Sequence, residues 1–249
     1  MVNHTAVVLK PDSASMSEVA SLGIAGTTAL ELIKAANLKS GDSVLVNGAG
    51  GGIGHLAVQM CREKVGSAGK IVVICSKRGA SWVEELDLND EHQGDDANVH
   101  ATHSAHFQII DREREPLIPY LTKLFGDTPF DAIIDAVGIQ DVFNASPAFL
   151  AQGKPYVTVG PKAYNYTYPS MLGTIGTMAK NMCWPRLLGG TPRPYVQVTA
   201  DSNLKPLEEL ADMVGKKRLR VHVGMVVGWD DVQSASNVPS CMCVRVNGA

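Results

Sequence analysis

The stretch Ser43 to Met60 reads SVLVNGAGGGIGHLAVQM: an apolar run, six glycines or alanines around one isoleucine, then a run with helical spacing of its apolar residues. A buried strand that turns directly into a helix leaves the first backbone N–H groups of the helix without partners. Together with the helix dipole these groups form an anion site. A bulky side chain there would keep the anion away. Ala49-Gly50-Gly51-Gly52-Ile53-Gly54 has the spacing such a turn needs. Gly51 lets a pyrophosphate approach the backbone, Gly54 lets the helix sit close to the strand, and Ala49 occupies the first-glycine position of G-x-G-x-x-G. Alone, the pattern also fits a flexible turn; its flanks favour the anion site, because a second apolar run ending at Cys75 completes a strand-helix-strand unit.

That unit recurs outward along the chain. Short β-branched runs at Ser43 to Asn47, Lys70 to Cys75, Phe107 to Asp111, Phe130 to Asp135 and Pro155 to Gly160 are apolar on both faces, as a doubly covered parallel sheet requires. Helical patterns lie between them, so the fold class is α/β with a doubly wound parallel sheet. A helix over Thr27 to Asp42, ended by Gly41, precedes the first strand, and the segment before it reads as irregular. After the fifth strand, the run from Tyr168 is apolar around much of its circumference and predicts a packed helix. Tyr195 to Ala200 and Leu219 to Val227 are further strand candidates. Asp87 to Phe107 is polar, acidic and histidine-containing where a tight turn belongs, and reads as a loop insertion.

The end of the second strand decides which dinucleotide fits. Ser76 follows Gly54 by 22 residues, near the position that reads the ribose. An Asp or Glu there would pair with a free 2′-hydroxyl, but the sequence offers Ser76, Lys77 and Arg78. A small hydroxyl residue beside two cations suits a 2′-phosphate, so the expected cofactor is NADP(H) rather than NAD(H). The other reading of Lys77 and Arg78 is a solvated pair at a helix start. There is no G-x-x-x-x-G-K-[ST] motif and no Tyr-x-x-x-Lys, which argues against an ATP-type P-loop and a short-chain reductase.

Composition narrows the partners. The chain has 249 residues and a net charge of −3, with basic residues scattered except for Lys216-Lys217-Arg218 and Arg220, so nucleic acid is not an expected partner. No run of about 18 apolar residues and no charged-then-apolar N-terminal signal occurs, from which a cytoplasmic protein without a membrane span is expected. The five cysteines are odd in number and lie mostly in apolar runs, like small buried hydrophobes. Cys241 and Cys243 form a lone C-x-C, and His92, His100, His103 and His106 lie in the insertion; both read as weak metal signals, and no metal is expected.

Taken together, AGTTALELIKAANLKSGDSVLVNGAGGGIGHLAVQM (Ala25 to Met60), FDAIIDAVG (Phe130 to Gly138) and GKPYVTVG (Gly153 to Gly160) resemble the medium-chain dehydrogenase/reductase superfamily, nearest its zinc-independent quinone oxidoreductase branch. The resemblance implies a Rossmann domain with Thr28, Gly51, Gly52, Ile53, Ser76, Lys77, Val137, Gly138, Val159 and Gly160 lining the cofactor. It places Thr28, Val137 and Val159 near the nicotinamide. Helix capping by Thr27 and Thr28, and strand ending by Gly138 and Gly160, are the structural alternatives. By the resemblance, residues 1–26 are a remnant of a barrel-like catalytic domain, 27–235 the dinucleotide-binding domain with the insertion at 87–106, and 236–249 an atypical tail. Arg112 stands where an aromatic residue often follows the aspartate. The implied activity is metal-free hydride transfer from NADPH to a quinone or activated alkene, with no catalytic residue assigned and a homodimer as the candidate assembly. The alternative is an NADP(H)-binding module without turnover.

Overall fold

The computed structural model describes residues 7–90, 107–113, 116–162, 167–183, 189–200, 203–228 and 242–245. Six strands, β1 (Ser43–Asn47), β2 (Lys70–Cys75), β3 (Phe107–Asp111), β4 (Ala132–Asp135), β5 (Tyr156–Thr158) and β6 (Tyr195–Gln197), form one parallel sheet in the order β3-β2-β1-β4-β5-β6. The direction of winding reverses between β1 and β4, the topological switch point where ligands of open α/β sheets bind. This is the doubly wound arrangement expected from the alternating pattern.

Strand residues alternate between two apolar layers. Val44, Val46, Ile71 and Val73 face one layer, with α2 (Thr27–Ala36), α3 (Gly54–Val65) and α8 (Leu204–Gly215). Leu45, Val72, Ile74 and Ile133 face the other, which holds residues of α5 (Leu117–Phe125) and α6 (Gln140–Ala145). A period of two with both faces buried is why these strands read as continuous apolar runs.

Several boundaries differ from the sequence reading, each for a local reason. Before α2 the chain is not irregular: α1 (Met16–Ala20) is fixed by a capping box in which Ser15 N–H donates to Glu18 at 2.7 Å and Glu18 N–H to the Ser15 hydroxyl at 3.2 Å. A single π-helical turn, Leu22–Gly26, then runs into α2. That helix ends at Ala36, well short of Gly41, because Asn37 takes the left-handed conformation at φ 49°. Helix α4 (Lys77–Asp90) carries through the first four residues assigned to the insertion; residues 91–106, with all four insertion histidines, lie outside the described residues. The helical run after β4 breaks into α6 and a 3₁₀ turn, Ser146–Ala148, at Pro147.

Two further expectations are corrected. Helix α7 (Tyr168–Cys183) buries none of its residues, and Tyr168, Leu172, Ile175 and Met182 stand exposed, so it is not a packed helix. Leu219 to Val227 is not one strand. Backbone donors at its start are already engaged: Arg218 and Leu219 N–H bond to Met213 O, Arg220 N–H to Gln59 Oε1, and His222 N–H to His55 Nε2. Only Met225–Gly228 (β7) is extended, pairing in parallel with β8 (Met242–Arg245) in a separate two-stranded sheet. Among the described residues no helix is long and apolar enough to cross a membrane.

Two buried polar knots hold the upper end of the sheet. The first is Asp135, 1% exposed at the end of β4. Its carboxylate accepts from Asn47 Nδ2 (2.9 Å), the Tyr156 hydroxyl (2.6 Å) and the backbone N–H groups of Val137, Gly138 and Ile139 (3.0, 2.9 and 2.9 Å). A buried carboxylate is tolerated because its lone pairs are met in this way. Burial, and then the Asp135 charge, push the Tyr156 phenol well above its ordinary value, so it stays a donor. The second is His55 on α3. Its Nδ1 lies 3.0 Å from Gly51 O and its Nε2 accepts from His222 N–H at 3.2 Å, which fixes the neutral tautomer with the proton on Nδ1. Trp82 of α4 meets the His55 ring edge-on and stacks on His222.

Burial lowers the His55 pKa to about 4 from 6.5. The unfolded chain therefore binds this proton before the folded one does, and stability falls as pH drops from 6.5 towards 4, by up to about 3 kcal/mol. Urea unfolding of the wild type should lose midpoint steadily over that window, and His55→Gln should flatten the profile while lowering stability at pH 7. In the first knot, Tyr156→Phe should cost about 1.5–3 kcal/mol at pH 7 in the same measurement, and Asp135→Asn more, because the amide turns donors towards donors.

Candidate functional site

Where winding reverses, the C-terminal ends of β1, β2 and β4 open into a crevice of about 1020 Å³. It sits at the upper end of the roughly 300–1000 Å³ range of small-molecule clefts. The glycine loop forms its floor. Gly48 turns out of β1 at φ +84°, and its N–H and that of Ala49 both donate to Ile74 O, at 2.9 and 3.0 Å, tying the loop to β2. Gly54 then opens α3 against the Gly48 carbonyl and the Ala49 backbone, at a separation that a Cβ would overlap. Ile53 provides no side-chain cap, so the helix start is presented to the crevice by Gly51, Gly52, Ile53 and Gly54. Gly54 thus lets α3 sit close to the end of β1, as its spacing predicts, while Gly48 rather than Ala49 makes the turn.

The cationic rim is fixed to this floor. Gly50 and Gly79 stand back to back: a Cβ on Gly79 would come within 2.8 Å of Gly50 Cα, and one on Gly50 within 3.1 Å of Gly79 Cα. That contact brings the first turn of α4 against the loop, and Ser76, Lys77 and Arg78 line the same crevice as Gly51 and Gly52. Gly79 N–H and Ala80 N–H both bond Ser76 O, at 2.8 and 3.1 Å, which closes the strand-to-helix turn. Cys75 also lines the cleft; burial, then the charges of Asp111 and Glu84, push its thiol up to about 11, so it remains protonated and is no nucleophile at neutral pH.

Of the residues expected at the cofactor, the crevice brings together Gly51, Gly52, Ile53, Ser76, Lys77, Arg78 and Val137. Thr28, Gly138, Val159 and Gly160 are not among its lining residues. Thr28 is buried and its hydroxyl donates to Ile24 O at 2.7 Å, stitching the π turn to α2. Gly138, at φ +82°, packs against the Gly160 carbonyl so closely that no Cβ fits, and its own carbonyl accepts from Lys162 N–H. Val159 N–H bonds Asp135 O. Gly138, Val159 and Gly160 brace the β4 and β5 ends behind Val137, whose side chain reaches the Gly48 turn.

The crevice has two walls that sequence reasoning missed. Ala20, Ser21, Ile24 and Ala25 supply one, from α1 and the π turn. Arg112 and Glu113 supply the other, from the residues just past β3. The second was readable in principle, because β3 neighbours β2 in a doubly wound sheet and the residue after its last aspartate must flank Ser76. A second groove of about 1000 Å³ lies between α3, α4 and residues 217–221, at the opposite ends of the strands, where Arg218 is paired with Glu63 and Asp212. Among the described residues no group of three His, Cys, Asp or Glu side chains could hold a metal ion.

Known proteins share this fold. Residues 105–237 match the family model described as zinc-binding dehydrogenase. The chain is 31% identical over 227 residues to the medium chain reductase pydE of an Acremonium species, covering 91% of this chain and 56% of that protein. It is 28% identical over 222 residues to the trans-enoyl reductase poxH of Penicillium oxalicum, covering 89% and 52%. The chain thus spans little more than half the length of these relatives. Among solved structures, the quinone oxidoreductase of Coxiella burnetii superposes with a TM-score of 0.68 over 96% of this chain and 64% of that one, at 24% identity, a likeness of fold. With a reversed-order parallel sheet, a glycine-floored crevice at its switch point and a family match across more than half its residues, the chain belongs to the zinc-binding dehydrogenase family of the medium-chain dehydrogenase/reductase superfamily.

Proposed function

We propose that this chain is the cofactor-holding part of an NADPH-dependent reductase that delivers hydride to a quinone or an activated alkene without a metal. The observation that carries this reading is the joining of Lys77 and Arg78 to the glycine loop through the Gly50–Gly79 contact, so that one crevice offers both a diphosphate site and two cations. The residues present fit the group: a helix start without a side-chain cap for the diphosphate, and a small hydroxyl with two cations, in place of a carboxylate, for the 2′-phosphate. When bound, the dihydronicotinamide supplies the hydride. The chain's own part is to bind and orient. Gly51 and Gly52 admit the diphosphate to the backbone; Lys77 and Arg78 select the phosphorylated ribose; Val137, held by the Asp135 clamp, fixes the wall beside the Gly48 turn. Much of the rate then comes from holding donor and acceptor at near-attack distance in a cleft that excludes water. The similarity to a trans-enoyl reductase supports the activated-alkene class of acceptor.

The second reading is a binding module without turnover that associates through an exposed helix face. Beside β6, at the sheet edge, α7 displays Met171, Leu172, Ile175 and Met182 on an exposed face suited to association with a second copy of the chain.

Titration of the purified chain should show NADPH binding at least tenfold tighter than NADH. The double substitution Lys77→Ala/Arg78→Ala should weaken NADPH about a hundredfold or more and leave NADH within a few fold, since each of the two lost charge-assisted hydrogen bonds is worth about 1.5–3 kcal/mol, roughly a factor of ten to a hundred. Tighter binding of NADH would overturn the assignment. NADPH oxidation in the presence of quinones and enones then separates the two readings: binding with turnover supports the reductase, binding without it the module.

A further inference from the structure

We propose that Arg112, held in reserve by Glu113, is a third phosphate-binding cation in the crevice and a determinant of specificity for the 2′-phosphate. The inference rests on the NADPH reading and deepens it. The register of β2 against β3 pairs Cys75 with Asp111, so the next residue on each strand, Ser76 and Arg112, leave the sheet side by side. Arg112 N–H donates to Cys75 O at 3.0 Å, which extends the ladder one step beyond the strands and fixes where the side chain departs. Glu113 N–H donates to Asp111 Oδ1 at 3.0 Å, turning the chain sharply enough that residues 112 and 113 both line the crevice.

The electrostatics explain why this arginine is available. Among the described lining residues, Glu113 is the single acidic side chain beside Lys77, Arg78 and Arg112. The Arg112–Glu113 pair is 3.9 Å apart, with both side chains about half exposed, at the outer limit of an ion pair. Such a contact in high dielectric is worth at most a fraction of a kcal/mol and is readily exchanged. A phosphate dianion presents more charge and three oxygens to the planar guanidinium fork, so it outcompetes one distant carboxylate. Glu113 therefore holds the guanidinium only loosely while opposing, by its own charge, the arrival of the anion. The position shapes selectivity rather than overall grip, because a nicotinamide cofactor with a free ribose hydroxyl offers Arg112 nothing to replace Glu113.

The test is equilibrium binding of NADPH, NADH and adenosine 2′,5′-bisphosphate to the full chain, without turnover. Arg112→Gln should weaken NADPH and the bisphosphate about tenfold or more and change NADH less than threefold. Arg112→Lys should recover part of the loss, as a point charge without the fork, and Glu113→Gln should tighten NADPH and the bisphosphate but not NADH. Circular dichroism and the thermal midpoint check that each variant is folded; the charge-preserving lysine and the Glu113 variant carry the test should the glutamine variant not fold. Equal losses for NADPH and NADH, or no loss for either, with a wild type that prefers NADPH, overturn the role of Arg112 alone. A wild type that prefers NADH overturns the cofactor reading as well.

Discussion

The structure depends on a close approach of backbone to backbone. Gly54 lies against the Gly48 carbonyl and Ala49 Cα at a distance that excludes even a methyl group. Everything above it follows from that contact. It sets α3 directly against the end of β1 and aims the helix start across the crevice, while Gly48 and Ala49 N–H bonds to Ile74 O lock the loop to the neighbouring strand. His55, one residue into α3, reaches back to Gly51 O and across to His222, so the loop is held from its own helix and from the chain that follows α8. An anion site made of backbone dipoles is useful only if those dipoles cannot turn away, and here the turn is fixed from three sides.

The opposite wall is set by charge rather than by the absence of side chains. Asp135 accepts three consecutive N–H groups after β4, the pattern of a capped turn, and its remaining capacity is met by Asn47 from β1 and Tyr156 from β5. One buried carboxylate thereby joins the three central strands at the level where the crevice opens. Its position beneath Val137 rather than at the surface keeps it out of the cleft, so its negative charge is spent on donors of the fold and not presented to a ligand. The glycine contact and the carboxylate clamp meet where Val137 touches the Gly48 turn.

How much of this was legible in the sequence follows from the range of the forces involved. The five strand runs and the glycine turn were readable because both are local: β-branched residues buried on two faces, and small residues where the chain must bend. The capping box at Ser15 and Glu18 was equally local, in plain S-x-x-E form, yet the segment was read as irregular because the helix it starts is only five residues long. Helix α7 was misjudged for a different reason. Apolarity around a helix states that some partner could cover it, and cannot state that the partner lies within the same described chain. The strand expected from Leu219 was lost to long-range claims on its N–H groups by Gln59 and His55, which periodicity does not record. Asp135 was passed over because an aspartate ending a strand looks like any other; only the meeting of β1, β4 and β5 shows that five donors converge on it.

The same distinction separates grip from selectivity in the crevice. Backbone groups of the glycine loop present the same donors to any diphosphate, so under the proposed function they would supply affinity common to both nicotinamide dinucleotides. Under the proposed function, selection between them would fall to Lys77, Arg78 and Arg112, which stand at the rim on a strand-to-helix turn and on the end of a neighbouring strand. The Gly50–Gly79 contact makes the two functions act together, because it sets the distance between the loop and the first two cations. The third arrives by a separate route, through the ladder of β2 and β3. Two independent pieces of scaffold thus converge on one rim of the crevice. Under the proposed function, moving either strand end would detune selectivity and leave the glycine turn intact, so the choice of cofactor could change without disturbing the turn on which binding would rest.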